Sequence, residues 1–156
     1  MSAQELVKLC TRKKRTIASC ESLTAGLFSA EIASVPGASK VLKGGIVTYF
    51  TEIKEKVVGV DTEVISKYGV VSKECAYQMA QKTRELLESD YCVSFTGNAG
   101  PDTMEEKPAG LVYCSIASKK NVKNFKLFLD HKSRNEVRKE AVEIMIQNLI
   151  QEITKE

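Results

Sequence analysis

Three side chains with complementary chemistry lie close together along the chain: the Ser39 hydroxyl, the Tyr49 phenol and the Lys54 amine. A serine beside a neutral amine makes an activated nucleophile, and a phenol nearby can orient a substrate or relay a proton. All three belong to residues 35–60, VPGASKVLKGGIVTYFTEIKEKVVGV. Pro36-Gly37 breaks the preceding helix just before Ser39. Gly44-Gly45 opens the β-branched and aromatic run 46–50, which suits a buried strand, and Thr51 is placed to cap a helix carrying Lys54 in its first turn.

Two other strand-end loops carry polar groups. A strand over 16–20 delivers the turn 21–26, ESLTAG, to a helix over 27–34. A polar, glycine-containing turn at a helix N-terminus is suited to anions, because free N–H groups and the helix dipole point the same way. Ser22 or Thr24 serving as a plain N-cap is the alternative. A strand over 91–96 runs into 97–102, GNAGPD. The loops 21–26, 37–39 and 97–102 thus hold the glycines and hydroxyls, and strand ends are where open α/β sheets bind ligands.

The remaining elements frame these loops. Ser2 and Glu5 have capping-box spacing before a helix reaching about residue 13. Asp61 or Thr62 starts a short helix ending at Tyr68-Gly69, and Ser72 caps a longer one to about Glu88, with Cys75, Met79, Ala80, Thr83, Leu86 and Leu87 on its inner face. The segment up to Pro108 is polar and expected to be mobile. Strands over 111–117 and 122–129 form an antiparallel hairpin, and Ser133 with Glu136 boxes the start of a final helix striped by Val137, Ala141, Met145, Leu149 and Ile153. The pattern predicts one domain over 1–156, a three-layer α/β/α sandwich with a mixed sheet.

Composition narrows the function. The chain has 156 residues, 43% hydrophobic and 28% charged, as in ordinary globular proteins. Its net charge of +3 is spread among interleaved acids, which disfavours a nucleic-acid module. No apolar run approaches the roughly 20 residues of a spanning helix, and the start lacks a signal-peptide core. Five widely spaced cysteines without a C-x-x-C pair argue against a zinc site or disulfide framework and fit a reducing cytoplasm, with Cys92 and Cys114 as inert core residues. With His131 the single histidine, any triad would have to use it.

These residues resemble the C-terminal domain of the CinA family, found also as a stand-alone nicotinamide mononucleotide (NMN) deamidase. The matching blocks are ESLTAG at 21–26, VPGAS with GGIVTYFTEIK within 35–54, TGNAGPD with KPAG within 96–110, and SRNEVR at 133–138. The nucleotide-processing domain that precedes this one in full-length CinA is absent, so only the deamidase half is implied.

The resemblance implies hydrolysis of the NMN carboxamide to nicotinic acid mononucleotide and ammonia, with no metal or cofactor. It carries roles onto Ser22, Ser39, Tyr49, Lys54, Thr96 and Arg134. Ser39 is expected to attack the carbonyl while Lys54 takes its proton, with Ser22 the alternative nucleophile. Since an ordinary lysine titrates near about 10.4, Lys54 must be depressed by burial or a cationic neighbour. Thr96 and the N–H groups of 97–100, including Gly97 and Gly100, are the expected oxyanion donors. Arg134 is expected to hold the phosphate, with Ser22, Thr24 and Gly26 also contacting substrate. Family members associate, so a homo-oligomer is expected. The sequence departs from the family pattern at Ala25 (usually Gly), Lys40 (a small residue), Thr51 (Asn), Thr103-Met104 (a glycine-rich run) and Lys132-Ser133 (Gly-Asp). These changes cluster at the expected substrate contacts, which motivates an alternative function as a non-catalytic nucleotide-binding homologue.

Overall fold

The computed structural model describes residues 2–156. Its elements in chain order are α1 (Ser2–Lys13), β1 (Ile17–Glu21), α2 (Leu27–Ala33), a 3-10 turn (Ala38–Lys40), β2 (Leu42–Val47), α3 (Thr51–Ile53), α4 (Thr62–Tyr68), α5 (Lys73–Leu87), β3 (Tyr91–Gly97), β4 (Leu111–Ala117), β5 (Val122–Phe128) and α6 (Arg134–Thr154). α3 runs directly into a π-helical turn, Lys54–Val58. No helix among the described residues is long and apolar enough to cross a membrane.

The five strands form one mixed sheet in the order β2-β1-β3-β4-β5. β1 is parallel to both β2 and β3, whereas β3–β4 and β4–β5 are antiparallel. The three parallel strands therefore end at one edge of the sheet. Every residue of β1 is buried, as a central parallel strand covered on both faces requires. α1, α2 and α6 pack on one face around Phe28, Phe95, Met145 and Leu149, with the Phe28 and Phe95 rings 5.7 Å apart. α5 covers the other face through Cys75 and Met79. The predicted three-layer sandwich is the observed fold.

Local sequence signals account for several boundaries. Ser72 Oγ accepts from Cys75 N–H at the start of α5, and the Ser133–Glu136 capping box closes the start of α6 from both sides. Elsewhere the structure corrects the sequence reading. Ser2 lies within α1 and hydrogen-bonds Glu143 of α6, so it is no cap for its own helix. Gly44-Gly45 lies inside β2 rather than ahead of the strand, because a Cβ at Gly45 would come within 2.7 Å of the Ser19 and Ser29 hydroxyls. Tyr49 and Phe50 fall beyond β2, which is a half-exposed edge strand. Thr51 begins α3 without a side-chain cap, and Leu86 faces solvent. The segment before Pro108 is tied down. Asn98 Nδ2 donates to Met104 O and Lys107 O, and Val70 and Val71 N–H donate to the Glu105 carboxyl.

Candidate active site

The ends of the three parallel strands bring four segments together. Ser22 follows β1, Thr48 and Tyr49 follow β2, Asn98 to Gly100 follow β3, and Arg134 and Arg138 come from the first two turns of α6. At their centre is Lys54, 1% exposed. Its Nζ donates to Thr48 O at 2.7 Å and lies 3.1 Å from Ser22 Oγ. Burial lowers the Lys54 pKa below the ordinary lysine range; the weaker influences of Cys75, Cys20 and Glu105 act in the opposite sense. No carboxyl group is hydrogen-bonded to the amine to offset that effect, and in its neutral form the amine can accept a proton from the hydroxyl beside it.

Ser39 is not part of this arrangement. It sits exposed in the 3-10 turn ahead of β2, whereas Lys54 follows the far end of the strand. The six residues of β2 between them span roughly 20 Å. The expected Ser39–Lys54 pair is therefore not formed within this chain. The hydroxyl beside Lys54 is that of Ser22, the alternative from the sequence.

Other expectations also change. The N–H groups opening α2 are not free for an anion. Phe28 and Ser29 N–H donate to the buried Glu21 carboxyl at 2.9 and 3.1 Å, and Ser19 Oγ donates to it at 2.8 Å. Gly26, at φ 96°, is the N-cap residue of α2, so neither Ser22 nor Thr24 caps the helix. Thr96 spends its hydroxyl hydrogen on Val70 O at 2.7 Å, and Asn98 N–H donates to Leu111 O, so these are not available oxyanion donors. Gly97 is drawn against β4, where a Cβ would strike Val112 Cα at 2.7 Å.

Arg134 is in the site but already engaged. Its terminal nitrogens donate to Gly100 O at 2.8 Å and Tyr49 Oη at 2.7 Å, joining three of the expected residues. Tyr49 is half-exposed. Lys132 pairs with Glu140 at 3.0 Å, Lys40 lies with Ser39 at the opposite end of β2, and His131 projects into solvent beside Asp130. Among the described residues no His, Cys, Asp and Glu groups converge as metal ligands. A groove of about 530 Å³ between the start of α5 and the β4–β5 hairpin includes neither Ser22 nor Lys54.

Two residues of the site were not singled out from sequence. Glu21 is an acid closing an otherwise uncharged strand immediately before a helix, a signal that it caps the helix. Arg138 stands four residues after Arg134 and hence on the same face of α6. It donates from Nε to Leu23 O at 2.8 Å and from a terminal nitrogen to Thr24 O at 3.1 Å.

The protein is a three-layer α/β domain in which a serine hydroxyl and a buried lysine amine meet beyond the ends of the parallel strands. The model of the CinA C-terminal domain matches residues 1–153, and the chain belongs to that family. It is 44% identical over 139 residues to a competence-damage inducible protein of Listeria welshimeri, covering 89% of this chain and 34% of the relative. A Geobacillus protein of the same name is 48% identical over 118 residues, covering 76% of this chain and 28% of its own length. The chain thus spans about a third of the length of the curated relatives it matches. Competence/damage inducible protein CihA of Agrobacterium tumefaciens superposes with a TM-score of 0.90 at 30% identity, covering 97% of this chain and 95% of that one. A CinA superfamily protein of Klebsiella pneumoniae gives 0.96 at 20% identity, covering 99% and 97%, and shares the fold.

Proposed function

We propose that this protein is a metal-independent Ser–Lys amidohydrolase that converts NMN to nicotinic acid mononucleotide and ammonia. The observation that carries the reading is the buried Lys54 amine, bonded to neutral groups only and 3.1 Å from Ser22 Oγ. Ser22 Oγ adds to the carboxamide carbon as its proton passes to Lys54. Collapse of the tetrahedral intermediate breaks the C–N bond, and Lys54 returns the proton to the departing nitrogen, which leaves as ammonia. A water molecule, deprotonated by Lys54, then cleaves the acyl ester, releasing the acid and restoring Ser22. Arg134 retains a second hydrogen on each terminal nitrogen for the substrate phosphate, with Tyr49 fixed beside it.

The test is ammonia release from NMN, in the presence of EDTA, by wild type, Ser22→Ala, Lys54→Ala and Ser39→Ala. Loss of at least about a thousandfold in the first two variants, with Ser39→Ala active, is expected. Loss confined to Ser39→Ala overturns the assignment of the nucleophile. A folded wild type whose melting temperature rises with NMN but which releases no ammonia is a nucleotide-binding homologue instead.

A further inference from the structure

We infer that the oxyanion of the tetrahedral intermediate is received by the backbone N–H groups of Leu23 and Thr24, and that Arg138 is the positioning residue that aims the second of them. This rests on the Ser22–Lys54 reading and supplies the electrostatic part that Thr96 and Asn98 do not provide.

Residues 22–25 form one turn, closed by Ala25 N–H donating to Ser22 O at 3.0 Å. Such a turn leaves its two central N–H groups outside its own hydrogen bond, and successive free amides make an anion-binding concavity. Among the described residues neither the Leu23 nor the Thr24 N–H has another partner. Yet Leu23 is 4% exposed and Thr24 0%. Buried amides are rarely left unpaired, so two together are open to an acceptor that the protein itself does not supply. The Ser22 N–H is not a competitor, because it donates to Phe95 O.

Arg138 sets the direction of the Thr24 N–H, while the turn's own bond to Ser22 O sets that of Leu23. It holds the carbonyls of Leu23 and Thr24 from one side. In a planar trans peptide the N–H of the next residue points the opposite way. The Thr24 N–H therefore faces away from Arg138, and the following plane directs Ala25 N–H back to close the turn. Two further observations fall on the same turn. Ala25 has φ +47°, a conformation that residues with a Cβ seldom adopt without cause. The Thr24 hydroxyl is buried without a hydrogen-bond partner among the described residues, which leaves it open to a bound molecule.

A fluorophosphonate tests this without requiring the amide substrate. Ser22 Oγ attacks phosphorus, its proton passes to Lys54, the P–O bond forms, the P–F bond breaks and fluoride leaves. The phosphoryl oxygen then occupies the oxyanion position. The chain is labelled as wild type, Ser22→Ala, Arg138→Lys and Arg138→Met, with rates read by intact mass and folding by thermal melting. The amide spectrum of 15N-labelled wild type is recorded before and after labelling. Wild type should label at Ser22 and Ser22→Ala should not. Folded Arg138→Met should label on the order of ten- to a hundredfold more slowly, with Arg138→Lys between the two. The Leu23 and Thr24 amide protons should move downfield in the adduct. Unmoved amides, an Arg138→Met rate equal to wild type, or a wild type that does not label overturns the inference. If Arg138→Met does not fold, Arg138→Lys and the wild-type amides still decide. A parallel NMN assay separates the two readings. Labelling with responding amides but no ammonia keeps the oxyanion site and discards the amide substrate, whereas ammonia with unmoved amides does the reverse.

Discussion

Glu21 and Lys54 are both 1% exposed, lie at the same end of β1, and form no ion pair with each other. Glu21 takes the amides of α2 and the Ser19 hydroxyl, while Lys54 takes Thr48 O and Ser22 Oγ. Pairing would have held the lysine in its protonated form. Separation leaves burial as the dominant influence on it, and burial favours the neutral amine that proton transfer from serine requires.

The pH dependence of stability follows from this. The folded-state pKa of Lys54 lies below its unfolded value of about 10.4, so between the two the unfolded chain holds a proton that the folded chain has lost. Across that window wild type should gain stability relative to Lys54→Met as pH rises, and the gain should level off above the unfolded pKa. Urea unfolding of both proteins across alkaline pH reads this directly. The opposite slope would mean that the folded protein keeps its amine protonated. Activity should rise through the same folded-state pKa, because only the neutral amine accepts the proton.

Glu21→Gln preserves shape but replaces one acceptor oxygen with a donor facing an N–H of α2 or the Ser19 hydroxyl. Leaving a buried group unsatisfied at this point is expected to cost about 2–3 kcal/mol, measured by urea unfolding. An unchanged midpoint would show that α2 does not depend on this carboxyl.

Ala25→Gly should stabilise the chain by about 0.5–1 kcal/mol, because glycine adopts φ +47° without the Cβ penalty while losing somewhat more chain entropy. Thermal melting reads the change, and a lower melting temperature would show that the turn carries no backbone strain.

At the two glycines of β2 the effects of alanine should diverge. Gly45→Ala drives a Cβ to 2.6 Å from Ser29 Oγ and 2.7 Å from Ser19 Oγ, the hydroxyl that supports Glu21. The cost expected for such overpacking is about 1–3 kcal/mol. Gly44→Ala meets only Leu87 Cδ1, at an ordinary 3.6 Å. Equal melting temperatures for the two variants would contradict this placement of β2.

These positions also show which parts of the molecule the sequence reveals. Ser72, the Ser133–Glu136 box and the β4–β5 hairpin act on residues a few places away, so local patterns place them correctly. Gly44-Gly45 reads as the opening of a strand over 46–50, because glycine usually marks a boundary. Its real cause, the crowding by Ser19 and Ser29, lies on other elements. The same holds for the serine that lies beside the lysine. Ser39 is nearer to Lys54 along the chain, but the parallel pairing of β1 with β2 puts Ser22 at the lysine end of the sheet and Ser39 at the other. Arg134 is named by the family resemblance, but its bonds to Gly100 and Tyr49, and the part played by Arg138, become visible only when α6 is seen to dock above the loops.

The hydrogen bond from Arg138 to Thr24 spans 114 positions of sequence. During synthesis from the N-terminus, the serine-bearing turn is made well before its clamp. A nascent chain that still lacks α6 carries the serine and the lysine but not the group that fixes the turn between them. On the proposed Ser–Lys reading, chemical competence is thereby tied to the docking of α6, and a product of translation interrupted before it has the reactive side chains without the means to use them.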